Sequence, residues 1–234
     1  MSKGDMFRKV LVVLMIRFLA SLSRGSFSIL GSEQWNLSFA ETKAGAEQGL
    51  MIYQHNLGIM YLSGSRIPQD YKEAAKWFRK AAEQGFAWSQ NNLGVMYEKG
   101  EGVLQDYSEA SRWFRKAAEQ DLAEAQRMIG SFYYEGIGGN PKDYIKAAKW
   151  FREAAEQGEA VAQTNMGVMY VNGEGLLKDA VIAYAWLNIA AANGQTEAAN
   201  MREVLSGRLS SEQIAEAQKL SRMMVEANPK LIGE

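Results

Sequence analysis

Asp106-Tyr107-Ser108-Glu109-Ala110-Ser111-Arg112-Trp113-Phe114-Arg115-Lys116-Ala117-Ala118-Glu119-Gln120 opens on a capping acid, carries a Trp-Phe pair at its centre and ends on an Ala pair and a Glu-Gln doublet. The pair recurs as Trp77-Phe78 and Trp150-Phe151, with Trp186-Leu187 as a weaker fourth copy, at intervals of 36 or 37 residues. Gly58, Gly94, Gly130 and Gly167 keep the same register, as do Tyr61, Tyr97, Tyr133 and Tyr170, and Asp70, Asp106, Asp143 and Asp179. A period of this size marks an array of one supersecondary unit.

Each unit reads as two helices. Leu93, Gly94, Met96 and Tyr97 fall at spacings of three and four and make one face of a first helix, which Gly100 ends. Asp106 followed by Glu109 has the form of a capping box for a second helix, on which Ala110, Trp113, Phe114, Ala117 and Ala118 gather to one side. The fold class is therefore all-α, with stacked antiparallel helix pairs. Glycine inside a helix costs about 1 kcal/mol relative to alanine, so the Gly column implies neighbouring backbones too close for a side chain. Trp77, Trp113, Trp150 and Trp186 are assigned to the core between adjacent hairpins. The extra residue of the third unit lies in the loop Gly139-Asn140-Pro141-Lys142, where it leaves the packed faces in register. Asp121 stands where Gly85 and Gly158 end the other second helices, and it too can take a left-handed conformation.

Composition sets outer bounds. The chain has 234 residues, 47% of them hydrophobic and 23% charged, enough for a continuous core. Lys+Arg 26 against Asp+Glu 27 gives a formal charge of −1, so no global field favours nucleic acid. Cysteine is absent, which removes disulfides, thiolate metal sites and a cysteine nucleophile.

The domain reading runs from 36 to 195 for the array, with repeats at about 50–86, 87–122, 123–159 and 160–195. Ala46-Glu47-Gln48-Gly49 matches Ala82-Glu83-Gln84-Gly85, so a degenerate helix is expected near 36–49. Residues 196–234 read as C-terminal capping helices, the last opened by Ser210-Ser211-Glu212-Gln213 and stopped by Asn228-Pro229. Residues 1–23 carry Lys3, Arg8 and Lys9 before an apolar run, interrupted at Arg17, and small residues at Ser21-Leu22-Ser23. They read as a secretory signal or an N-terminal membrane-associated helix, with 24–35 as a linker. A periplasmic or secreted protein is expected if the signal is real, and a cytoplasmic or membrane-associated one otherwise; membrane contact is expected only through 1–23.

Asn92-Leu93-Gly94-Val95-Met96-Tyr97, Gly100-Glu101-Gly102-Val103 and the Ala110–Gln120 segment resemble the Sel-one-like repeats, a branch of the tetratricopeptide-repeat superfamily. The resemblance covers about residues 50–195. It departs at Arg66, in place of a loop Gly, and at Asn188-Ile189, in place of Arg-Lys. It implies a right-handed α-solenoid serving as a scaffold or adaptor in signalling, quality control or the bacterial envelope. Some secreted relatives are linked to penicillin binding or weak β-lactamase activity, so an enzyme acting on cell-wall or β-lactam substrates is an alternative, and a membrane-tethered spacer another. This chain lacks those relatives' cysteines and the Ser-x-x-Lys sequence of serine β-lactamases.

Nothing in the pattern calls for a catalytic group, metal or cofactor. His55 has no His or Cys companion and is expected on the surface, in register with Asn91, Arg127 and Thr164. The Glu-Gln endings and the Arg79-Lys80 and Arg115-Lys116 segments are expected as exposed faces. By comparison with tetratricopeptide arrays, the first helices line the concave side. The column two before the helix Gly is Asn56, Asn92, Met128 and Asn165. An Asn amide offers donors and an acceptor to a peptide backbone, or to a neighbouring repeat. Trp88, Arg127 and Tyr134 are the individual residues best suited as anchors, giving a protein or peptide as the expected partner.

Overall fold

In the computed structural model, residues 38–65 and 67–233 are described. The expectations for 1–23, 24–35 and Arg66 lie outside the described residues. The rest is the α-solenoid of antiparallel pairs that the period implies. Helix α1 (Phe39–Glu47) precedes the pairs α2 (Met51–Ser63) with α3 (Tyr71–Glu83), and α4 (Ala87–Lys99) with α5 (Tyr107–Ala118). They are followed by α6 (Ala123–Glu135) with α7 (Tyr144–Glu156), and α8 (Ala160–Asn172) with α9 (Ala180–Ala192). The described chain closes with α10 (Thr196–Ser206), α11 (Ser211–Ala227) and a short 3₁₀ turn, Pro229–Leu231.

The second helices start where their acids can cap them. Asp70 Oδ1 accepts from Lys72 N at 2.9 Å, Asp106 Oδ1 from Ser108 N at 2.8 Å and Asp179 Oδ1 from Val181 N at 2.9 Å. The reciprocal half of the expected box is missing: Glu73 turns to Lys76 and Trp77, and Glu109 to Arg112. A full box forms at Ser210, whose Oγ accepts from Gln213 N at 3.2 Å while its own N–H donates to Gln213 Oε1 at 3.0 Å. First helices end at left-handed glycines, Gly100 at φ 74° among them, and Asp121 takes φ 62°.

In the first three repeats the helix glycines face rings, which corrects the expectation of backbone contact there. A Cβ on Gly58 would lie 2.7 Å from the Phe78 ring, one on Gly94 2.7 Å from Phe114, and one on Gly130 2.8 Å from Phe151. At these three positions the close approach lies within a hairpin, where the second-helix Phe ring covers the glycine of the first. The Trp column works between hairpins: Trp77 packs with Ala46 and Leu57, and Trp113 with Phe78, Ala82 and Leu93. Trp150 is only half-buried.

Neighbouring repeats are also tied by a buried amide column that the sequence reading missed. Gln54, Gln90 and Gln163 Nε2 donate to the last-turn carbonyls of Ala46, Ala82 and Ala155 in the preceding unit at 3.1–3.2 Å, and Gln126 reaches Ala118 at 3.5 Å. Each Oε1 accepts from the end of its own second helix: Gln84, Gln120 and Gln157 at 2.7 Å, Asn193 at 2.8 Å. The Glu-Gln endings are thus exposed in backbone but turned inward at the amide. Arg79, Arg115 and Arg152 likewise donate to the hydroxyls of Tyr97, Tyr133 and Tyr170 in the next unit, so the Arg of each Arg-Lys segment is not a free surface charge. Lys80 and Lys116 remain outside, over the Trp77 and Trp113 rings.

At the other end, α11 packs on α9 and the tail returns across the helix ends. Leu231 is buried, its carbonyl accepting from Gln163 Nε2 at 2.8 Å and Asn193 Nδ2 at 2.7 Å. Among the described residues no helix is long and apolar enough to cross a membrane.

Candidate functional site

The first helices α2, α4, α6 and α8 bury one stripe, typified by Gln90, Leu93 and Gly94 on α4, and turn another outward. On the outward stripe a residue recurs every three or four positions, so Asn56 lies beside Ile59, Trp88 beside Asn92, and Val161 beside Asn165. Ile59, Trp88 and Val161 are 39%, 40% and 39% exposed, more than most large apolar groups among the described residues. Asn56, Asn92 and Asn165 are half-buried, and among the described residues their amides have no hydrogen-bond partner. The inter-repeat bonding open to them in the sequence is carried instead by the Gln column. Met128, the odd member, packs against the core.

Arg127 and Tyr134 are held from within. Arg127 Nε lies 3.3 Å from Glu159 Oε1, an ion pair across the repeat boundary whose angle falls outside hydrogen-bond geometry. Burial raises the Glu159 carboxyl above its ordinary value, with Ala162 N–H and Arg127 opposing. The Tyr134 hydroxyl donates to Glu174 Oε2 at 2.7 Å, and its ring meets Tyr144 edge-on at 5.1 Å. Burial and then that carboxylate push its pKa up to about 12. Glu98 is also raised by burial, partly offset by Lys99 and Arg127.

His55 corrects the surface expectation. Its Nδ1 is 2.9 Å from Ser89 Oγ, and its ring lies 5.6 Å from Phe78 and 4.9 Å from Phe86, in the seam between two repeats. Burial lowers its pKa to about 4, so it is neutral near pH 7. Its Ser89 partner is fully buried, and among the described residues no acid or second imidazole is placed against the ring. Among the described residues no group of three or more His, Cys, Asp or Glu side chains is placed to hold a metal ion.

The repeated hairpin matches the Sel1 repeat over residues 52–86, 89–122, 123–159 and 160–195, more than half of the chain. The chain belongs to the Sel1 repeat family. Two solved structures are similar to this Sel1 array. One is a protective antigen of uropathogenic Escherichia coli strains displaying an SLR fold, 34% identical with a TM-score of 0.76, covering 82% of this chain and 42% of that one. The other is a Sel1 repeat protein from Oxalobacter formigenes, 35% identical with a TM-score of 0.66, covering 75% of this chain and 72% of its own. The Sel1 chain thus spans less than half of the Escherichia coli antigen. Among curated proteins none matches it.

The Sel1 Gln column is the class of residue the sequence reading passed over, although Gln54, Gln90, Gln126 and Gln163 recur in register. Their role is structural. The outward stripe carries Asn amides beside exposed apolar groups.

Proposed function

We propose that the chain is a non-enzymatic scaffold or adaptor that holds an extended segment of a protein or peptide along the face made by its first helices. The observation that carries this reading is the set of Asn56, Asn92 and Asn165 amides, which have no hydrogen-bond partner among the described residues, each beside an exposed apolar side chain. An amide both donates and accepts, so a row of them suits a peptide main chain of any sequence, while Trp88, Ile59 and Val161 supply desolvated contact area. Arg127 and Tyr134, already engaged with Glu159 and Glu174, shape this face more than they anchor a ligand. Placement in the bacterial envelope is part of the proposal and rests on the composition of residues 1–23 alone.

Peptides selected from a random twelve-residue library on the unmodified protein provide the ligands for the test. The triple variant N56A/N92A/N165A and the single variant W88A are each expected to weaken the selected peptides about tenfold or more, with helix content and melting temperature unchanged. Equal affinity in both variants would remove this face from consideration.

A further inference from the structure

The fourth repeat breaks the pattern where the first three place a ring. Phe78, Phe114 and Phe151 sit against Gly58, Gly94 and Gly130, but Gly167 faces Leu187. At this shorter side chain a pocket of about 340 Å³ opens, at the lower end of the range for small-ligand sites. Val168 and Val171 of α8 form one wall, Met201 and Val204 of α10 the other, and Leu187 the floor. Val204 is 63% exposed at the mouth, so an apolar group entering the pocket would find apolar surface there to cover.

The α10 side of the pocket is tied to its neighbours. Arg202 Nη1 of α10 donates to Asn188 Oδ1 of α9 at 2.7 Å, and Asn188 Nδ2 donates to Ser221 Oγ of α11 at 3.0 Å. This is the function of the Asn that replaces Arg in the fourth unit. The rim is polar, with Asn172, Asn200 and Arg208. Asn172 Nδ2 is spent on Glu174 Oε2 at 3.1 Å, a carboxylate that also takes the Tyr134 hydroxyl. Arg208 is the charged member of the lining, and among the described residues no acid joins it there.

We propose that this pocket receives one large apolar side chain of an extended peptide whose following residue is acidic, the acid pairing with Arg208 and the Asn200 amide meeting the backbone between them. The proposal rests on the peptide-holding reading above and names the chemistry of one position within it. An exposed ion pair adds little affinity but fixes register, so the apolar side chain dominates binding and the acid selects orientation.

The test uses a fluorescein-labelled, C-terminally amidated peptide of sequence Gly-Ser-Gly-Leu-Asp-Gly-Ser-Gly and its counterparts with Ala for Leu or Lys for Asp. Fluorescence polarisation is read alongside the methyl spectrum of Met201 and Val204. Leu187→Phe restores the ring of the other repeats opposite Gly167 and fills the floor; it is expected to reduce affinity for the Leu-Asp peptide about tenfold or more while preserving the fold. R208E is expected to erase the preference for Asp over Lys. V204E, at an exposed position that cannot disturb the core, provides the same block if L187F misfolds. Methyl shifts at Met201 that need the Leu support the proposal. Unchanged binding in L187F or V204E, or no Met201 shift at millimolar peptide, overturns it. The groove reading stands or falls separately, on whether N56A/N92A/N165A weakens the library peptides.

Discussion

Acidification should loosen the first repeat boundary through His55. The imidazole is wedged between Phe78 and Phe86 with its Nδ1 on Ser89, and burial lowers its pKa from 6.5 to about 4. The folded state therefore binds the proton less readily than the unfolded chain between these values. The stabilisation is complete above about pH 6.5 and is lost as the pH falls toward 4. At about 1.4 kcal/mol per pKa unit, lowering the pH from 7.5 to 5 should cost about 2 kcal/mol, or about 4–8 °C of melting temperature in a chain of this size. Glu98 and Glu159, whose carboxyls are raised by burial, work in the opposite direction. The measurement is thus a difference: thermal melts of the protein and of His55→Asn at both pH values, with hydrogen exchange on the α2 and α4 amides. The variant should lose most of the pH dependence, and the amides at that boundary should exchange faster in acid only when the His is present. Identical pH dependence in the two proteins would refute the assignment.

Two further outcomes follow from the packing between repeats. Gln90→Ala removes the donor to Ala82 O and the acceptor of Gln120 Nε2, and should cost about 1–3 kcal/mol in urea denaturation, whereas the exposed Gln84→Ala should cost less because its partners reach water. Trp113→Ala should cost about 3–5 kcal/mol, and Trp150→Ala distinctly less because that ring is half-buried; equal losses in chemical denaturation would contradict the burial that separates them.

The architecture was legible because each packing role repeats at the same interval, so a single ambiguous residue never decided the reading. What the period showed less well was the object each residue touches. Gly94 announces a close approach, but only the structure identifies the Phe114 ring, since backbone and ring impose the same absence of a side chain. The Gln column was passed over for a different reason. A glutamine within a helix reads as a surface residue, and the acceptor that justifies its burial lies eight residues upstream, in the preceding repeat. Its signal was present in the paired recurrence of Gln54 with Gln84 and Gln90 with Gln120. His55 was placed in the correct register, but its neutrality depends on Phe86 and Ser89, which have no counterpart in kind at the same positions of later units. The candidate face was legible as a column, while the pairing of Arg127 with Glu159 needed the helix crossing to be known.

The buried glutamines address a main-chain carbonyl and so are indifferent to the identity of the unit before them. Excising residues 87–122 would bring Gln126 opposite Ala82 O, the same acceptor chemistry it finds at Ala118. Such a joint is a universal coupling: modules can be dropped, doubled or shuffled without rewriting the seam, and the reach of the molecule can change in steps of one hairpin while its local grip stays the same.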